Sequence, residues 1–261
     1  MTQVWRAAKP QMRSVIRSRW LISYFLFFLL VTDGLLRFTG GDARTLLSLV
    51  NITLFIVPLV TLVYGTIFLY SSRELVELLL AQPVKRRTVF AALYGGLAIP
   101  LMSALVAGLT IPFLFHGFGD GQRIALLTLA LGAAGLTAVF TGIAFCVALK
   151  FQDRLTGLGA ALTIWFVLAL LYDGALLFII AIADEPLEKA LLAATLANPI
   201  DLVRIALLLQ FDIAALMGHT GAAFSRFFSA GMGAAVITAA LLAWIAVPLG
   251  AGFYAFSRKD F

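Results

Sequence analysis

The chain has 261 residues, 62% of them hydrophobic and only 12% charged, with a net charge of +6. A water-soluble domain cannot hide that much apolar surface, so composition excludes a soluble enzyme or binding module and predicts several membrane crossings, at ~20 apolar residues each. One cysteine, Cys146, leaves neither a disulfide framework nor a cysteine metal cage, and the excess of cations lies in the loops and the amino end, where it reads as membrane orientation and not nucleic-acid binding.

Residues 1–19 carry Arg6, Lys9, Arg13, Arg17 and Arg19 and no acid. On a helical wheel Trp5, Ala8, Met12, Val15 and Ile16 share one side and the cations another, which predicts an interfacial helix in the headgroup layer. A first span is expected over Trp20–Leu36. It runs into Asp33 with no small-residue cleavage site after it, so it reads as a retained span. A second span is expected over Leu46–Tyr70, kinked at Pro58.

The stretch Ser71–Arg87 then interrupts the apolar pattern with SSRELVELLLAQPVKRR. Glu74 and Glu77 fall one turn apart on one helix face, Leu75, Leu78 and Leu79 on another, and Arg73 stands four residues before Glu77, at ion-pair spacing. Pro83 ends the helix, and Lys85, Arg86 and Arg87 follow. A short amphipathic helix of this kind suits a site where a soluble partner docks.

Four more spans are expected: Val89–Phe115, Ile124–Leu149 (rich in the Gly and Ala that allow close helix packing), Leu155–Ala183 and Phe228–Phe256. Between the last two lies the longest non-spanning region, residues 184–227, and Ser257–Phe261 forms a tail. Six spans put both ends on one side. The amino segment, the 71–87 loop, the 150–154 turn and the tail hold 13 of the 19 Lys and Arg residues, so that side is expected to be cytoplasmic. Nothing in the pattern divides the chain, which reads as a single domain over residues 1–261.

Inside the long outer region, Asn198-Pro199 supplies a helix cap and a first-turn proline, Asp201 favours the helix amino end, and Arg204 is one turn from Asp201. The spacing predicts an amphipathic helix at the outer surface, with a contact to cargo or to an outer partner as the competing role. Asp33 and Asp173 lie within apolar runs, where charge is costly and tends to face a cavity or a partner. Asp173 divides between pathway and border anchor; Asp33 leans to the border. His116, Met217 and His219 are the soft or imidazole groups on the outer side, too few for a copper site. No catalytic residue and no metal ligand set is expected. Tyr172-Asp173 and Gly117-Phe118-Gly119-Asp120 match the short signatures of intramembrane aspartyl proteases, but in reversed chain order and with Asp120 in a loop. Walker A and HExxH motifs do not occur, so any ATP-driven step needs ATP and Mg on another chain.

These residues carry a resemblance. An early acidic segment, then ELLLAQPVKRR, then a long apolar span resembles the second loop of ABC-2 type permeases, where the helix before the proline docks on the ATPase subunit. Trp165-Phe166 followed by Asp173, then Asn198-Pro199-x-Asp201-x-x-Arg204, then a last span ending in Arg258-Lys259, is similar to the NosY-type permeases of nitrous-oxide-reductase maturation. The resemblance covers the whole chain in order. It implies an all-α membrane protein of the ABC-2, type V exporter-like class, with an interfacial helix at the amino end and a cytoplasmic coupling helix. An ABC ATPase subunit is implied at Arg73, Glu74, Glu77, Leu78 and Gln82. The outer-face or pathway set is Asp173, Asn198, Asp201 and Arg204. It also implies a homodimer, an extracytoplasmic accessory protein, a copper or sulfur cargo and a place in a bacterial inner membrane, surrounded by the lipid bilayer. The alternative is an ATP-independent secondary transporter or channel, which calls for ionisable residues or broken helices near the midplane.

Overall fold

Within a bilayer each backbone N–H and C=O must find its partner in its own helix or in a closed barrel. This chain uses helices. The computed structural model describes residues 12–13, 15–39, 43–81, 84–118, 122–182, 188–210 and 232–259, and among them there is no strand. In order the helices are α1 (Arg19–Thr39), α2 (Ala43–Ser71), α3 (Arg73–Leu80), α4 (Arg86–His116), α5 (Gln122–Lys150), α6 (Arg154–Phe166), a π turn (Val167–Leu171), α7 (Tyr172–Ile182), α8 (Glu188–Ala197), α9 (Pro199–Gln210) and α10 (Met232–Arg258).

Among the described residues six segments are long and apolar enough to cross a membrane: α1, α2, α4, α5, α6 continued through the π turn into α7, and α10. The six expected spans are all present, most of them longer at one or both ends. The start of α1 and the end of α10 share one side, the terminal side; the opposite side is the far side. The expected interfacial helix lies mostly outside the described residues. What is described of it is a short helical piece before α1, with Val15 buried and Arg13 and Arg17 exposed. Ser18 breaks it and takes the amide of Trp20 on its Oγ at 3.3 Å, which starts α1.

α5 is the hub, packing on α2, α4, α6, α9 and α10, while α1 packs chiefly on α4. Between apolar helices in lipid, association rests on close van der Waals approach, which small residues permit. A Cβ added at Gly65 would stand 2.8 Å from Cβ of Ala144, at Gly108 2.8 Å from Cβ of Phe28, and at Gly135 2.8 Å from Leu241. These glycines are seams between α2 and α5, α1 and α4, and α5 and α10. Proline sits within α2, α4 and α10 without ending any of them.

Two expectations are corrected. The fifth span is not one regular helix: a π turn interrupts it at Val167–Leu171. The 198–204 motif does not begin a surface helix. Ile200, Leu202, Val203 and Leu207 of α9 are each 2% exposed or less, and a Cβ on Gly132 would strike Val203. Trp244, twelve residues into α10 and so roughly 18 Å below its far-side end, donates its indole N–H to Leu196 O at 3.0 Å. Tyr172 donates its hydroxyl to Ala194 O at 2.6 Å. α8 therefore descends from the far side, the chain turns at Ala197–Asn198 near mid-depth, and α9 climbs back. The pair is a re-entrant helical hairpin.

Candidate functional site

The terminal-side element is α3. Its eight residues leave Glu74, Leu75, Glu77 and Leu78 exposed and bury Val76, with Leu79 and Leu80 half-buried. The inward face thus differs from the expected one: Leu75 and Leu78, exposed at 39% and 69%, join the two acids on the open side. An acidic surface carrying two bare leucines combines steering charge with apolar contact area. Gln82 and Pro83 lie outside the described residues.

Arg73 behaves otherwise than its spacing predicts. Its guanidinium lies 4.6 Å over the Tyr70 ring and donates to Phe151 O at 3.3 Å, and no ion pair with Glu77 occurs among the described residues. Tyr70 donates to the same Phe151 O at 2.9 Å and also to Asp153 O at 3.2 Å. Lys259 donates to Leu149 O at 2.7 Å. The last carbonyls of a helix are orphaned and carry partial negative charge, which makes them natural acceptors for cations. So Arg73, Tyr70 and Lys259 cap α5, and Arg86 caps α10 through Phe256 O, Ser257 O and Lys259 O at 3.4, 3.1 and 2.7 Å. Burial, and then the charge of Arg73, pushes the Lys259 ammonium below its ordinary pKa. Through Tyr70 and Arg73 the entry of α3 is fastened to the α5–α6 turn.

That turn is closed by Asp153, which accepts from the Thr156 amide and hydroxyl, both at 2.8 Å, as the N-cap of α6. These bonds hold its carboxyl below the usual range. A depressed carboxyl contributes stability above its unfolded pKa and loses it as pH falls through the folded one. Acid titration of the melting temperature in detergent should therefore show a low-pH decline that is shallower in Asp153→Asn.

On the far side the hairpin brings together the four residues singled out from the sequence. Asn198 takes the Ile200 amide on Oδ1 at 3.1 Å, capping α9, and donates from Nδ2 to Asp201 at 3.1 Å and to Leu168 O at 2.9 Å. A π turn displaces the normal i to i+4 ladder, and Leu168 lies within it, so one side chain both starts α9 and satisfies a carbonyl of the fifth span. Arg204 reaches Asp201 Oδ1 and Asp173 Oδ2, each at 2.7 Å. Asn198 is fully buried and Asp201 5% exposed, whereas the Arg204 and Asp173 side chains each keep 30% of their surface open. One guanidinium thus bridges two carboxylates on different segments, and the span cannot leave the hairpin without separating charges in a low-dielectric setting.

Asp33 meets Arg37 at 2.8 Å and His116 at 2.7 Å, where α1 and α4 reach the far border. Met217, His219, Gly119 and Asp120 lie outside the described residues; among those described, no group of three or more His, Cys, Asp or Glu could hold a metal ion. Sequence reasoning assigned no contact to Tyr70, Lys259, Trp165 or Trp244. Trp165 donates to Phe55 O at 3.1 Å and packs edge-on against the Phe55 ring. The available signal for the first two was position: a phenol or ammonium just outside an apolar run stands beside neighbouring helix ends.

Comparison with known proteins agrees with this architecture. Residues 5–261 match the ABC-2 family transporter protein. A probable ABC transporter permease protein NosY of Stutzerimonas stutzeri is 28% identical over 286 residues, covering 99% of both chains. Its counterpart from Pseudomonas aeruginosa is 29% identical over 246 residues, covering 84% of this chain and 86% of the relative. With six crossings, a short amphipathic helix after the second, and a family match across nearly its whole length, the chain belongs to the ABC-2 family of transporter permeases.

Proposed function

We propose that this permease is driven by a separate ABC ATPase, carrying ATP and Mg, which docks on α3 from the cytoplasm. The observation that carries the reading is the open face of α3, with Glu74, Glu77, Leu75 and Leu78 presented together while Val76 anchors the helix. The terminal side is cytoplasmic on the distribution of cations. A push on α3 reaches the α5–α6 turn through Arg73 and Tyr70, and from there the fifth span and its clasp to the far-side hairpin. Two copies pair, a reading supported by the fifth span, 6% of whose apolar stretch is buried within one chain. The resemblance to NosY-type permeases supports copper-site maturation of nitrous oxide reductase as the setting, with an extracytoplasmic accessory protein receiving cargo or force at the hairpin.

The test is co-purification. Glu74→Arg with Glu77→Arg should remove the ATPase subunit from the detergent-solubilised complex while leaving the permease folded. Retention of the ATPase in that variant at the level of the parent protein overturns the docking surface.

A further inference from the structure

The first two crossings pack on each other less than on other spans. α1 leans on α4 and α2 on α5, so the seam between α1 and α2 is left open. It forms a groove of about 480 Å³ lined from α1 by Trp20, Ser23, Tyr24 and Phe27 and from α2 by residues including Ile56, Val60 and Ile67. That volume is within the ~300–1,000 Å³ typical of pockets that hold small organic ligands. Both walls belong to the spans, Trp20 at the start of the first and Ile67 four residues before the end of the second, so the groove lies in the leaflet on the terminal side.

Charge marks what enters it. Arg19 adjoins Trp20, and Arg17 and Arg13 stand exposed about one and two turns earlier, at the headgroup level. The first acid in the chain is Asp33, at the far border, so nothing acidic from this segment neutralises them. Trp20 is 64% exposed at the same level, the position that indole takes at a membrane interface. An apolar slot below three cations that have no ion-pair partner among the described residues matches a molecule with an acyl chain and a negative head.

We propose that the α1–α2 groove is a binding site for an anionic phospholipid of the terminal-side leaflet, with an acyl chain between α1 and α2 and its phosphate at Arg17 and Arg19. Clusters of Lys and Arg at a membrane face favour acidic lipid by charge; the groove adds a fixed place for the chain. The inference is independent of ATPase docking, and loss of the α3 contact leaves it untouched.

The experiment uses the full chain in nanodiscs of brominated phosphatidylglycerol or brominated phosphatidylcholine at equal mole fraction. The Trp20 signal is taken as the difference between the parent and Trp20→Phe. Brominated phosphatidylglycerol should quench it at least twofold more than brominated phosphatidylcholine, and Arg17→Ala with Arg19→Ala should equalise the two. Val60→Phe, which fills the groove, should reduce quenching by both. Native mass spectrometry of the same proteins gives a second reading: a retained phosphatidylglycerol on the parent, lost in the double-arginine variant. Equal quenching by the two lipids in the parent overturns the proposal. So does absence of quenching by either, the result expected when a second copy of the chain covers the groove.

Discussion

Arg204→Ala should lower the stability of the folded permease by about 3 kcal/mol, the low end of the cost of breaking a buried ion pair. The value is at the low end because Asp173 keeps 30% of its side-chain surface, whereas Asp201 keeps 7% and is left as a buried carboxylate without its cation. Thermal melting in detergent measures it. Adding Asp173→Asn and Asp201→Asn should recover a large part of the loss, because the charges that needed Arg204 are gone. A melting temperature unchanged in the single variant, or no recovery in the triple one, contradicts the clasp.

Gly132→Ala should destabilise by about 1–3 kcal/mol, the usual range for overpacking a close-packed interface. A Cβ there would be 2.5 Å from Cγ1 of Val203, a branched side chain with little rotamer freedom, so α9 must move off α5. Val203→Ala in the same chain should relieve the clash. The pair should show a coupling energy of the size seen for residues in contact, and Gly159→Ala, where a new Cβ meets nothing within 4 Å, serves as the control.

Hydropathy made the crossings legible, since in lipid length and apolarity decide almost everything about a span. The caps were legible too: Asn198-Pro199 and the Asp201–Arg204 spacing follow from local rules, and the structure has both. Depth was not. The 198–204 segment is amphipathic, and local pattern cannot tell a helix lying on the bilayer from one that dips into a bundle; only the absent side chain at Gly132 and the reach of Trp244 settle that. Arg73 shows the same limit. Its i,i+4 spacing to Glu77 offered a surface pair, but the orphaned carbonyls of α5, 78 residues away in sequence, are the better partners. The π turn left no mark either, because Val167-Leu-Ala-Leu-Leu171 suits an ordinary helix equally well.

That five-residue turn carries one residue more than an α-helical register would need. Each residue advances a helix by roughly 100°, so everything beyond Leu171 is rotated by about that angle relative to an uninterrupted rod. Asp173 meets Arg204 with its register shifted in this way. Excising Ala169 would remove the extra residue and close the turn into a regular helix, with the Asp173 carboxylate left at about its present azimuth. The azimuth of the segment beyond the turn is set by that slack: drawing all five residues into a regular helix, with none removed, would swing the carboxylate about a quarter-turn from the hairpin.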